Sequence, residues 1–295
     1  MWWGSADLVG FFMSGRAPVV ELLRQQQGTA TAGERKVCRL LLADYPLAGL
    51  EPVARLAARA GVSAPTVLRL VGKLGFVGYP EFQQALKDEL GERLSSPLDM
   101  YARTAGRGGD HALDRSVETF TQGIRSSLEA VPAAEVDAAV ALLADARRPV
   151  TTIGGRFSGI LAQYLAGHLR ELRPRTAHVP DGGGDRAAAL LDMGRRDVVV
   201  AFDYRRYEKG TIRFGDLAKK QGAALILFTD PWLSPLASSA DIVLPASVQA
   251  PSPFDSLVPA LALVEAVVAA LVDELGDEPR KRLARYDDLA DDVAE

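Results

Sequence analysis

Cysteine occurs once in this sequence, at Cys38, and histidine three times. Neither an internal disulfide nor a clustered set of thiolates and imidazoles for zinc can be assembled from them, and we expect no metal and no cofactor. Cys38 falls beside Val37, Leu40 and Leu41 at helical spacing, which suits a buried thiol in a reducing compartment and points to the cytoplasm. Long apolar runs are missing too, since nothing reaches the roughly 18 uninterrupted apolar residues of a membrane helix. Leu8-Val9-Gly10-Phe11-Phe12 is too short for a span and lacks the basic residues that open a signal peptide. The segment before Met13 is expected to be an extension or tail, with translation starting at Met13. Charge of one sign is not in excess, because 34 Lys and Arg against 38 Asp and Glu leave a net charge of -4. That excludes a surface coated by nucleic acid and leaves room for a local basic module. No internal repeat of solenoid period is visible.

What is present is enough apolar residue, 48% of 295, for two cored domains. From residue 19 to 90, periodic apolar positions broken at Gly28, Pro46, Gly61 and Gly75 predict an all-α module. Ser95-Ser96-Pro97 and Gly106-Arg107-Gly108-Gly109-Asp110, on either side of a short helix with Met100 and Tyr101, read as a linker. Helices are expected over 113–130 and 132–146, the second opened by a proline in its first turn. Apolar runs at 149–153, 176–179, 197–202, 223–228 and 242–244 then alternate with helical stretches, the pattern of parallel strands buried on both faces. The expected fold is α/β with an all-α N-terminal domain, a helix-turn-helix bundle followed by a five-stranded parallel αβα sandwich of flavodoxin-like kind. Residues 15–92, 93–112 and 113–295 are its first domain, linker and second domain. Alanine-rich helices over 259–275 and 279–293 read as covering or oligomerising elements.

Residues 52–70, PVARLAARAGVSAPTVLRL, have helix-turn-helix grammar. Small Ala57 admits a second helix, Gly61 accepts the positive φ of a tight turn, Val62 plugs the core and Ser63 can cap the next helix. Val67, Leu70, Val71 and Leu74 are expected to face inward, and Thr66, Arg69 and Lys73 outward, with Ala64 and Pro65 at the helix start. A recognition helix reads bases from its N-terminal residues, so Ser63, Ala64, Pro65 and Thr66 are candidates for the interface and Arg69 for a guanine or phosphate. Arg55, Arg59 and Lys73 supply a positive surplus suited to phosphates. The alternative is an ordinary helical bundle whose Gly-x-Ser turn only joins two helices. The run from Thr31-Ala32-Gly33-Glu34-Arg35 through 62–69, VSAPTVLR, to 73–82, KLGFVGYPEF, closely resembles the N-terminal domain of the RpiR family of regulators, with Pro65 and Leu68 as variations. The resemblance implies double-stranded operator DNA as a partner.

In the second half, three loops follow strand ends. Ile153-Gly154-Gly155-Arg156-Phe157-Ser158-Gly159 lies between a strand and a long helix, where backbone donors and the helix dipole receive anions. It does not spell GxGxxG, and no acidic residue closes the next strand, which disfavours a dinucleotide. Gly154, Gly155, Arg156 and Ser158 are its candidate ligand contacts; the alternative is that the glycines only make the turn. In Asp203-Tyr204-Arg205-Arg206-Tyr207, Arg205 and Arg206 can grip a phosphate or carboxylate, and Asp203 can accept hydroxyls or hold an arginine. Thr229 and Ser234 belong to the third loop. The alternative for the three arginines is ion pairing with Asp203, Glu208 or a partner subunit. Residues 148–275 resemble a sugar isomerase (SIS) domain, most specifically in the SPLAxxAD pattern of 234–241, and such a domain is the usual companion of an RpiR helix-turn-helix. Two departures stand out. Arg156 replaces the second glycine of GxGxS, and Asp203, Arg205, Arg206 and Glu208 stand where many SIS domains have an SxSGxT phosphate cradle. The resemblance implies a small anionic carbohydrate-derived effector, such as a sugar phosphate.

SIS domains also occur in aldose–ketose isomerases, which need a base in the pocket. His111, His168 and His178 fall in the linker, a helix and a strand end, and structural roles are expected for each. Asp203 or Glu208 as base is expected to be weakened by neighbouring arginines. The sequence therefore reads as a regulator, not an enzyme, acting as a homodimer or tetramer without a membrane; an isomerase, or a SIS domain that only dimerises, are the alternatives.

Overall fold

The structure, a computed structural model, describes residues 18–94, 96–104 and 111–294. The expected domain start at residue 15, the segment before Met13, Ser95 and the glycine run at 106–110 lie outside the described residues. The chain divides into two compact units, residues 1–95 and 96–295.

The first unit is all α: α1 (Val19–Gln26), α2 (Ala32–Ala43), α3 (Leu47–Leu50), α4 (Val53–Ala60), α5 (Ala64–Lys73) and α6 (Tyr79–Leu94). α2 begins with a reciprocal cap. Glu34 N–H donates to Thr31 Oγ1 at 3.4 Å and Thr31 N–H to Glu34 Oε2 at 2.8 Å. The apolar faces of these helices meet in one core around Val37, Leu41, Leu56, Val67, Leu70, Val71, Phe82 and Leu86, with Cys38 buried among them as expected. Burial pushes the Cys38 thiol up to about 11. The carbonyls that α3 leaves unpaired are taken by α6, where Tyr79 Oη donates to Glu51 O at 2.8 Å and Gln83 Nε2 to Leu50 O at 2.9 Å.

The second unit places α7 (Pro97–Thr104), α8 (Ala112–Ala130) and α9 (Ala133–Ala144) ahead of an alternating series. That series runs β1 (Val150–Gly154), α10 (Gly159–Leu172), β2 (Thr176–His178), α11 (Gly183–Leu191), β3 (Val198–Asp203), α12 (Lys209–Lys220), β4 (Ala224–Thr229) and β5 (Ile242–Pro245), then α13 (Val258–Leu275) and α14 (Glu278–Ala294). The strands form one parallel sheet in the order β2-β1-β3-β4-β5. Every residue of β1 and β3 is buried, the reason these runs are apolar without alternation. Val198, Val200 and Phe202 share an apolar cluster with α9, α10 and α13, and Phe202 stacks on Phe228 of β4 with ring centroids 4.6 Å apart. Pro132 caps α9 from the residue before it, just outside the helix whose first turn it was expected to open. Fully buried Arg173 ties the end of α9 to the entry of β1 by donating to the carbonyls of Leu143 and Arg148. Among the described residues no helix is long and apolar enough to cross a membrane.

Glu89 fastens the ends of the first unit, since Oε1 accepts from Val19 N–H at 2.6 Å and Oε2 from the Tyr45 hydroxyl. Burial pushes its carboxyl up to about 7. A carboxyl raised in the fold favours the protonated native state, so the contribution of this group is complete below about pH 4.5 and is lost as pH climbs through about 7, by about 3 kcal/mol. Urea unfolding at about pH 5 and about pH 8 should show that loss in the native chain and a smaller one in E89Q; equal losses would remove Glu89 as its source.

Candidate functional site

In the first unit, α4 ends at Gly61, whose φ of 63° turns the chain while its N–H and that of Val62 return to the carbonyls of Ala57 and Ala58. Val67, Leu70, Val71 and Leu74 are buried, and Ser63, Pro65, Leu68, Arg69 and Lys73 are exposed, with Ala64 half-buried at the start of α5. Three sequence expectations are altered here. Ser63 sits at the cap position but its hydroxyl lies 3.1 Å from Thr66 Oγ1 and makes no cap bond to a backbone N–H. Thr66 is buried, because α2 approaches so closely that a Cβ on Gly33 would touch Thr66 Cγ2 at 3.2 Å. The positive surplus is largely spent within the unit. Lys73 Nζ pairs with Glu34 Oε2 at 2.9 Å, Arg59 bridges Glu51 at 2.7 Å and Asp44 at 3.0 Å, and Arg55 lies 3.7 Å from Glu51. Lys73 and the Thr31 cap hold the buried Glu34 carboxyl below its usual range. Among the described residues, Arg69 has no carboxylate partner; its guanidinium leans on Thr66 Oγ1 at 3.3 Å.

In the second unit, the strand order reverses between β1 and β3, the switch point at whose carboxyl edge doubly wound sheets receive their ligands. Gly154, Gly155, Ser158, Asp203, Thr229 and Ser234 converge on this edge. Buried Ser158 Oγ accepts from Gly155 N–H at 2.9 Å and donates to Phe202 O at 2.7 Å, lacing the first turn to β3. Asp203 is buried and fully engaged: Oδ1 accepts from Glu208 N–H at 2.9 Å and Oδ2 from the Ser234 hydroxyl. Its carbonyl accepts from Thr229 Oγ1 at 2.7 Å, and Ser234 N–H donates to that same hydroxyl at 3.0 Å.

Of the three arginines expected here, one is drawn into the protein and two stay exposed. Arg156 is exposed, its guanidinium 5.1 Å from the centre of the Phe157 ring. Arg205 is buried against Asp255, with Nε 3.2 Å from Oδ2, Trp232 at 5.8 Å and Met100 Sδ at 2.7 Å. The contact with Met100 puts α7, read from sequence as linker, onto the second unit. Arg206 is exposed at a φ of 84°, followed by Tyr207 at 29°; this costly turn aims Arg205 inward and Arg206 outward. Tyr207 Oη secures it by donating to Asp230 Oδ1 at 2.9 Å.

A cation that is held at this edge is Arg186, which sequence reasoning missed. Its Nη2 donates to Gly154 O at 2.9 Å and to Thr211 Oγ1 at 3.3 Å, and lies 3.2 Å from Asp181 Oδ1. The signal available was its position after the Gly182-Gly183-Gly184 run that follows β2. Glu208 completes the group beside Asp181. Burial, then the Asp181 carboxylate, pushes Glu208 up, and burial pushes Asp203 up to about 6. Both shifts run against the expected lowering by arginines, because burial outweighs the lowering that Arg186 supplies, and Arg205 is paired with Asp255. The histidines hold local structure: His111 Nδ1 caps α8 by accepting from Leu113 N–H at 3.2 Å, His168 packs on Tyr164, and His178 Nδ1 lies 3.1 Å from Thr152 Oγ1.

Comparison with known proteins places both units. Residues 18–93 match the helix-turn-helix domain of the rpiR family, and residues 142–270 match the SIS domain. The bifunctional protein glk of Burkholderia mallei is 30% identical over 239 residues, 77% of this chain and 34% of that protein. The chain thus spans about a third of the length of such relatives. An uncharacterized HTH-type transcriptional regulator in the aarA 3′ region of Providencia stuartii is 27% identical over 76% of this chain and 77% of its own length. The sugar isomerase domain of an RpiR transcription factor from Sphaerobacter thermophilus superposes with a TM-score of 0.55 at 25% identity, over 58% of this chain and 97% of that one. With the family's helix-turn-helix domain ahead of a SIS domain whose five parallel strands present one laced edge, the chain belongs to the RpiR family of regulators.

Proposed function

We propose that this chain is a cytoplasmic DNA-binding transcriptional regulator, and no enzyme, whose SIS domain senses a small carbohydrate-derived metabolite at the carboxyl edge of its sheet. The observation that carries the first half is Arg69, an exposed guanidinium with no carboxylate partner among the described residues, on the second helix of a helix-turn-helix, beside exposed Ser63 and Pro65. A twofold dimer would set two such helices about 34 Å apart on a roughly palindromic operator. Effector binding shifts operator affinity only if it favours one of two conformations of the assembly. The second half is supported by the reversal of strand order between β1 and β3, at whose carboxyl edge Gly154, Gly155, Ser158, Asp203, Thr229 and Ser234 lie. An isomerase has raised carboxyls in its favour, yet Asp203 is only 2% exposed and both its oxygens serve the chain, so it is out of a substrate's reach.

Fluorescence anisotropy with the promoter DNA of the chain's own gene separates reading from folding. R69A should weaken specific binding by about 10- to 100-fold, the cost of a lost bidentate contact, with an unchanged melting temperature. K73M should do the reverse, lowering the melting temperature by stranding the buried Glu34 carboxylate and sparing most of the affinity. Full operator binding by R69A would remove α5 from the interface. For the second unit, a thermal-shift screen of sugars, amino sugars, sugar acids and sugar phosphates should yield a compound that both stabilises the chain and changes operator affinity. Compounds that stabilise without altering DNA binding would reduce the SIS domain to a dimerisation platform.

A further inference from the structure

The proposed effector edge is filled with carboxyl groups where an anion would need free donors. Two places on it have a backbone layout that receives phosphate, the turn from β1 into α10 and the start of α12. In the first, Gly155 N–H already donates to Ser158 Oγ at 2.9 Å, and Gly159 N–H to Gly155 O at 2.7 Å. The space over the turn is occupied as well, since a Cβ at residue 155 would lie 2.5 Å from Glu208 Oε2 and 3.5 Å from Glu208 Cδ. In the second, Glu208 is the residue ahead of α12; its N–H goes to Asp203 Oδ1, and Thr211 Oγ1 in the first turn points back at Glu208 Oε2 from 3.4 Å. Arg186 is already committed to Gly154 O, Thr211 Oγ1 and Asp181 Oδ1. A phosphomonoester dianion entering here would have to displace one carboxyl and face two more.

We propose that Glu208 is a built-in anion that closes the phosphate seat of this edge, so that the effector is an unphosphorylated polyhydroxyl compound, amino sugars included. This rests on reading the edge as the effector site and narrows its ligand. Asp181 and Glu208 are the partly exposed carboxyls of the group, and carboxylates accept from paired sugar hydroxyls or from an ammonium. The Glu208 side chain acts by occupancy as well as by charge.

The test compares the full-length native chain, E208S and E208Q in thermal shift and titration calorimetry, with inorganic phosphate against chloride at matched ionic strength. Millimolar phosphate should leave the native chain unmoved and stabilise E208S, with a shift that grows with phosphate concentration. E208Q keeps the length of the side chain and should stay as blind as the native protein. Phosphate stabilisation of the native chain, or a folded E208S that ignores phosphate, overturns the proposal. Should E208S not fold by circular dichroism, the decision passes to E208Q, where phosphate stabilisation overturns it and blindness upholds it. A sugar phosphate that stabilises the native chain more than its unphosphorylated sugar overturns the ligand class. None of these readouts involves DNA, so failure here leaves the regulator standing, and failure of operator binding leaves this result standing.

Discussion

The carboxyl group of Asp203, buried at the end of β3, is the tie on which the working edge of the SIS domain depends. It accepts from the backbone ahead of α12 and from the Ser234 hydroxyl, and its carbonyl takes the Thr229 hydroxyl, so loops after β3 and β4 are fastened to one residue. Ser158 adds the turn after β1 by its bond to Phe202 O. A parallel sheet buried on both faces leaves only its strand ends near water, and these hydrogen bonds decide what those ends can present. The raised carboxyls follow from burial: the hydration lost by Asp203 and Glu208 outweighs the lowering supplied by their hydrogen bonds and by Arg186.

The first unit treats its charges in a similar way. Lys73, on the helix that would enter DNA, is drawn to the buried Glu34 carboxylate at the start of α2, and Arg59 is held between Glu51 and Asp44. Charge that looks like a phosphate-binding surplus along the sequence therefore stabilises the contact of α2, α4 and α5. Arg69 differs from Lys73 and Arg59: among the described residues it has no carboxylate partner, and its guanidinium leans on Thr66 Oγ1.

Much of the fold was legible in advance because local rules govern it. The five apolar runs became β1 to β5 within a residue or so of their expected limits, and Gly61 took the left-handed conformation the turn requires. Thr66 was misplaced because helical spacing alone cannot foresee how close α2 comes at Gly33. The arginines were misplaced for a related reason. Arg205 and its partner Asp255 are separated by 50 residues, and no periodicity connects them.

Sequence alone determined the order of the two domains, the parallel sheet and the set of loops at its edge, since these follow from residue spacing and turn chemistry, while the family came from the resemblance of its motif runs, 62–69 and 73–82 above all. The tertiary structure decided which side chains inside those loops remain available. Arg186 rather than Arg205 is held against the turn after β1, Glu208 lies over Gly155, and Lys73 belongs to Glu34. Ion pairs and buried hydrogen bonds join residues far apart in the chain, and their partners exist only once packing has brought the elements together.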